Sequence, residues 1–317
     1  MARRRSGLPT RALLKALGVS PATWYRWQKR KDEGRLADAV APPRRSTVPP
    51  TPAEVEAVRR HALKHPLTGY KRLAWSMVDA DLVALRPHQV HQILVDADLL
   101  CWRGAPPAVA LRRPAPAQRP DEQWHIDLMY VEIQSNWFYL VDIIDAYSRY
   151  LVHWTLNPTM TGDTVILTVQ QALDALLHRR PNEPKVVHDS GSQFVGRDWR
   201  SFVDNVGVRD IRTRVAHPQS NGIVERVHRT HRQEALLGEA TVDYHAAHGA
   251  FTRHVAFYNH QRPHTALRYL PPAVYYRGDP EAKLRERQLR LATAREARKA
   301  FWADRSTHPH GSDPYHK

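Results

Sequence analysis

The chain has 317 residues, enough for two or more domains and a sizeable core. Its 47 Lys and Arg against 32 Asp and Glu give a formal net charge of +15 and a pI near 10.2. This balance favours a polyanionic partner, with nucleic acid ahead of an anionic membrane. The single cysteine, Cys101, excludes an intramolecular disulfide framework and any multi-cysteine zinc site, and it fits a reducing cytosol. No apolar run approaches the ~20 residues of a membrane span, and the first ten residues lack the hydrophobic core of a secretory signal, so a cytoplasmic protein with no membrane partner is expected.

Residues 8–31 predict two short helices. Leu13, Leu14 and Leu17 stand at helical spacing, Gly18 supplies a turn, and Ser20-Pro21 is an N-cap and first-turn pair for a second helix. That second helix carries Trp24, Tyr25, Arg26, Trp27, Lys29, Arg30 and Lys31. A helix, a Gly turn and an aromatic, basic helix read as a helix-turn-helix over 1–40, with Arg26, Lys29 and Arg30 reaching into the major groove and Trp24 and Trp27 packing it down. Residues 1–50 hold twelve Lys or Arg and only three Asp or Glu, so much of the net charge sits here. A solvated basic helix hairpin is the plainer alternative.

Five prolines in 41–52 predict a stiff linker. A second helical unit follows over 53–100, where K-R-L-A-W-S-M-V and Q-V-H-Q-I-L-V-D both show i, i+3, i+4 apolar spacing. Packing of a small three-helix bundle and DNA contact both account for it. Residues 101–120 are a second Pro-rich hinge containing Arg103, Arg112, Arg113 and Arg119.

From Asp121 the pattern changes to a mixed α/β domain over 121–277. Strands are expected at 123–133, 137–144 and 149–156, the first two joined by a hairpin turn at Ser135-Asn136. A helix at 162–180 presents Val165, Val169, Leu173, Leu176 and Leu177 on one face. A short strand at 185–188 then delivers Asp189. A helix near 197–206, a strand near 208–212, a long helix from about 221 and another at 243–258 complete the domain. A charged helix at 279–305 and a disordered end from Ser306 are expected within 278–317.

Three acids stand out. Asp127 lies inside the strand-like run W-H-I-D-L-M-Y-V, Asp189 ends the β-branched run of V-V-H-D-S-G-S-Q-F, and Glu225 follows in H-P-Q-S-N-G-I-V-E-R with thirty-five residues between it and Asp189. Asp142, Asp145 and Glu234 compete with them; Asp145, in D-A-Y-S-R-Y, reads as a turn and capping residue. Two i, i+3 histidine pairs, His228 with His231 and His245 with His248, raise a zinc site, but further ligands are missing and no H-E-x-x-H occurs. They read as solvated or phosphate-facing.

The ordered set Asp127, Asp189, Glu225, with these surrounding words and Y-N-H-Q-R-P-H after them, resembles the DDE triad of bacterial insertion-sequence transposases whose core is similar to retroviral integrase. T-G-Y-K-R-L and P-H-Q-V-H-Q-I-L resemble the second helix-turn-helix found before that core. The resemblance covers roughly 121–277 and implies an RNase H-like fold. It also implies a polynucleotidyl transferase that binds element ends in double-stranded DNA, cleaves a strand and joins the 3′ hydroxyl to target DNA, acting as a homo-oligomer. Two Mg²⁺ (or Mn²⁺) ions would be held by Asp127, Asp189 and Glu225, with Asp127 bridging both. Where retroviral integrases use lysines to hold the DNA end, this chain has Arg229 and Arg232 at i+4 and i+7 from Glu225. It departs from those integrases in lacking the cysteines for their amino-terminal zinc module. A non-catalytic repressor derived from a transposase and a structure-selective nuclease of the same fold are the alternatives; an intact triad argues against the first and an amino-terminal helix-turn-helix against the second.

Overall fold

A computed structural model describes the backbone of residues 9–34, 48–100, 117–176, 184–189, 191–212, 218–236 and 242–307, and the side chains of all of these except 218–221 and 306–307. Most of both Pro-rich linkers, Cys101 and the end of the chain after residue 307 lie outside the described residues. The chain divides into two compact units, 1–48 and 49–317.

In the first unit, α1 (Thr10–Ala16) and α2 (Pro21–Asp32) are joined through Gly18, which takes the left-handed φ of +64° that a tight turn needs. Ser20 caps α2 by accepting the Thr23 N–H at 3.1 Å, and Pro21 occupies the first turn. Lys29, Arg30 and Lys31 fall in the last turn, where the helix dipole favours cations. Leu14 is buried while Leu17 is exposed, and α2 buries no residue fully.

The second unit begins with three helices, α3 (Pro52–Lys64), α4 (Tyr70–Asp79) and α5 (Pro87–Asp96). Thr51 and Glu54 form a reciprocal capping box at the start of α3. Val58, Leu73, Met77, Leu85, Val90 and Leu94 make a core of their own.

The central sheet contains β1 (Gln123–Ile133), β2 (Asn136–Asp145), β3 (Leu151–Asn157), β4 (Lys185–His188) and β5 (Arg209–Arg212), in the order β3-β2-β1-β4-β5. The first three strands are antiparallel, whereas β4 runs parallel to β1 and β5 parallel to β4. The β1–β2 turn is Gln134-Ser135, one residue earlier than the sequence suggests. Both residues have positive φ, +50° and +61°, as a two-residue hairpin requires, and Ile133 pairs with Asn136 across it.

Alternation along the strands gives the sheet two apolar faces. Trp124, Ile126, Val141 and Ile143 pack against α6 (Gly162–Asp174) and α7 (Arg197–Val206). Met129, Val131, Leu140, Ile144 and Leu156 face the opposite layer. That layer is α8 (Pro218–Thr230), a π-helical turn (His231–Ala235) and α9 (Tyr244–His260), which contribute Val224, Val227, Ala235, Phe251 and Val255. Three antiparallel strands followed by two parallel ones, in this order and with helices on both faces, form an RNase H-like fold.

The short α10 (Pro272–Arg277) leads into α11 (Pro280–Thr307), a 28-residue helix that runs back along the 49–100 helices. Its Arg287 binds both carboxylate oxygens of Asp79 at 2.7 and 2.6 Å, Arg298 reaches Glu54 at 2.7 Å, and Trp302 donates to the Pro49 carbonyl. Among the described residues no helix is long and apolar enough to cross a membrane.

Candidate active site

β1 and β4 run parallel with His125 opposite Val187. Two residues further along each strand direction lie Asp127, on the face covered by α8, and Asp189, just past the end of β4, near enough for its charge to act on Asp127. Each carboxylate is aimed by a neighbouring amide: Asp127 Oδ1 accepts the Leu128 N–H at 2.9 Å, and Asp189 Oδ1 accepts the Gly191 N–H at 2.9 Å. The backbone of Asp189 is held as well. His188 is wholly buried, stacks on Phe194 and bonds Asp210 through Nε2 at 2.6 Å, while its Nδ1 meets the Asp189 carbonyl.

Burial raises the Asp127 carboxyl above its ordinary value; the charges of Asp189 and Asp142 add to the rise, while His228 and the Leu128 amide oppose it. Crowded, partly desolvated carboxylate oxygens are the hard donors that Mg²⁺ prefers, so this pair suits a divalent cation. Glu225 stands apart from them. It is exposed on α8, one turn before His228, whose Nδ1 lies 3.6 Å from Asp127 Oδ2. The structure thus brings two of the three acids together. Among the described residues no three His, Cys, Asp or Glu side chains are gathered closely enough to enclose a metal ion.

The competing acids have other partners. Asp145, the buried last residue of β2, accepts the Asp121 N–H and, across the following turn, both the N–H and hydroxyl of Ser148 at 2.6 to 2.7 Å. Glu234 is forked by Arg262 through two 2.7 Å bonds, with Arg72 at 3.8 Å. Asp142 is different. It lies directly opposite Asp127 in the β1–β2 pairing, is fully buried, and has His228 Nε2 and His231 Nε2 at 3.3 and 3.1 Å. Burial alone would push its carboxyl up, but His231 and His228 outweigh that and hold it well below the usual carboxylate range.

His228 and His231 are therefore neither solvated nor phosphate-facing, against the sequence reading. Val224, Val227, His228 and His231 fall at i, i+3, i+4 and i+7, the buried stripe of an amphipathic helix, and the π-helical turn begins at His231. That stripe was the available signal for the missed histidines. His245 and His248 are exposed, as read.

Arg229 and Arg232 are both exposed on the outer side of α8 and the π-helical turn, and no ion pair joins Glu225 to Arg229 among the described residues. In the first unit Arg26, Trp27 and Lys29 are exposed, while Trp24 and Arg30 are half-buried.

Two family models described as "Integrase core domain" match residues 117–218 and 206–272. The chain is 30% identical over 142 residues to an "Insertion element IS136 uncharacterized protein" of Agrobacterium fabrum, a match covering 44% of this chain and 73% of that one. It is 29% identical over 158 residues to the "Insertion element IS600 uncharacterized 31 kDa protein" of Shigella sonnei, covering 49% and 57% of the two chains. The "Transposase for insertion sequence element IS904" of Lactococcus lactis is 28% identical over 159 residues, and this chain spans 61% of its length. Among solved structures, an HTLV-2 integrase catalytic core domain aligns with 50% of this chain and 98% of its own at 15% identity and a TM-score of 0.41. With an integrase core domain over 117–272 and these relatives, the chain belongs to the insertion-sequence transposase family.

Proposed function

We propose that the protein is a metal-dependent DNA transposase of the bacterial cytosol that binds the ends of its element, cleaves a strand there and joins the freed 3′ hydroxyl to target DNA. The observation that supports this most is that Asp189, just past the end of β4, sits near enough to Asp127 on the neighbouring strand β1 for its charge to raise that carboxyl, with His228 of the helix that carries Glu225 3.6 Å from Asp127, in a chain of this family. Two Mg²⁺ or Mn²⁺ ions, when bound, would neutralise charge on the attacking and leaving oxygens and supply a strong oxygen nucleophile.

Asp127 would contribute to holding both ions, with Asp189 and Glu225 each holding one. The amides of Leu128 and Gly191 keep the two aspartates oriented before any ion arrives, so little reorganisation is needed. Arg229 and Arg232 would grip the phosphate backbone of the DNA end. A guanidinium fork holds phosphate in two bonds and fixes its orientation, which a point charge does not. The α2 helix, with Arg26, Lys29, Arg30, Trp24 and Trp27, would read the element end, and the protein would act as a homo-oligomer on DNA.

The test uses DNA flanking the element itself. Asp127→Ala, Asp189→Ala and Glu225→Ala should each abolish strand cleavage while leaving DNA affinity within about twofold, because affinity comes from the basic helices and ligation from the acids. Mg²⁺ or Mn²⁺ should be required, and Ca²⁺ should support binding alone. Robust cleavage by any one of the three variants would sink the proposal.

A further inference from the structure

The β1–β2 register puts Asp127 and Asp142 directly opposite each other on one face of the sheet. Two carboxylates so placed repel. The ring of His228 lies between them, with Nδ1 3.6 Å from Asp127 Oδ2 and Nε2 3.3 Å from Asp142 Oδ2. Beneath it, His231 Nε2 meets the same Asp142 oxygen at 3.1 Å. The His231 ring is wedged edge-on against Phe251 and His254, with centroids 5.6 and 5.0 Å away.

Asp142 and His231 are completely enclosed, and His228 nearly so. An isolated carboxylate without solvent costs several kcal/mol, so Asp142 persists there through its two imidazole neighbours. If the arrangement served packing alone, His231 and Asp142 would suffice. What it adds is the second nitrogen of His228, which faces the carboxylate oxygen of Asp127 that the Leu128 amide leaves uncovered.

We propose that His228 is a positioning residue for Asp127: braced from below by Asp142 and His231, its imidazole sets the direction of the carboxylate that receives the divalent ion. This rests on the reading of Asp127 as a metal-holding group. Partners behind a ligand orient it, and their removal typically lowers metal affinity by ten- to a hundredfold.

The experiment measures Mn²⁺ binding to the purified full-length protein, by electron paramagnetic resonance of the free ion, with no DNA and no turnover. His228→Ala should raise the Kd for Mn²⁺ by tenfold or more, and His228→Gln, which keeps a polar group at this place, should recover much of the loss. Asp142→Asn keeps the shape, removes the brace and should also weaken binding by about tenfold; it decides the matter if the alanine variant does not fold. Urea midpoints run in parallel separate loss of the site from loss of the fold. A wild-type Kd in folded His228→Ala or Asp142→Asn overturns the proposal. Asp127→Ala is the control for the underlying reading: if it too binds Mn²⁺ with the wild-type Kd, the metal site is elsewhere, whatever His228 does.

Discussion

Arg287 is the strongest single link between α11 and the helices of residues 49–100, and its loss should be measurable. The side chain is almost wholly enclosed. It forks onto Asp79 at 2.7 and 2.6 Å, donates to the carbonyls of Arg268 and Tyr269 at 3.0 and 2.7 Å, and lies over the Trp75 ring at 4.8 Å. Arg287→Met keeps much of the volume but strands the Asp79 carboxylate and two carbonyls. Removing one partner of a buried pair costs about 3 to 5 kcal/mol. Asp79 retains 22% side-chain exposure, so water rescues part of the loss and the lower end, about 3 kcal/mol, applies. At about 2 °C per kcal/mol for a unit of this size, the melting temperature should fall by about 6 °C. The double variant Arg287→Met with Asp79→Leu replaces both charges by apolar groups and should return to within about 1 kcal/mol of wild type. Calorimetry and urea unfolding of the four proteins in this cycle give the coupling energy directly. A single variant that loses under 1 kcal/mol, or a double variant as unstable as the sum of the two singles, would refute the reasoning.

Arg229→Ala and Arg232→Ala should each reduce cleavage of an element end strongly while moving the melting temperature by less than about 1 °C, since both are exposed and Arg229 makes no ion pair with Glu225 among the described residues; normal specific activity with a large loss of stability would favour a structural role. Deleting residues 1–40 should abolish the preference for element ends yet leave salt-sensitive, non-specific DNA binding by the second unit, and unchanged footprints on the ends would move sequence reading to the 49–100 helices. Stability should fall between pH 6.5 and 4. Burial, reinforced by Arg149 at His125 and by His231 at His254, lowers both to about 4, so the unfolded chain binds more protons than the folded one across that window. Each such group contributes at most about 1.4 kcal/mol per pH unit, the raised carboxyls of Asp127 and Asp145 act in the opposite sense near its acid end, and a urea midpoint that is flat from pH 7 to pH 5 would contradict it.

The amino-acid sequence by itself determined what depends on neighbours a few residues apart. Ser20-Pro21 and Thr51 with Glu54 start helices because a side-chain oxygen meets an orphan amide within one turn. The period of two in β1 and the β-branched run before Asp189 mark strands, and the ordered acids with their flanking words carry the family resemblance. What only the tertiary structure decided involves residues brought together across the fold. The Gln134-Ser135 turn sets Asp127 opposite Asp142 because the backbone there takes two positive φ values, which no side-chain pattern announces at Gln134 and Ser135. Glu234 is taken up by Arg262 and Arg72, one from a loop after α9 and one from α4, so its unsuitability as a free acid appears only once those elements pack. His228 and His231 are polar in type and read as surface groups, yet they occupy the buried stripe of α8. Their burial is tolerated because β2, more than eighty residues earlier, presents Asp142 at that point. A buried charge is stable only with a partner, and which partner arrives is set by how the helix lies on the sheet.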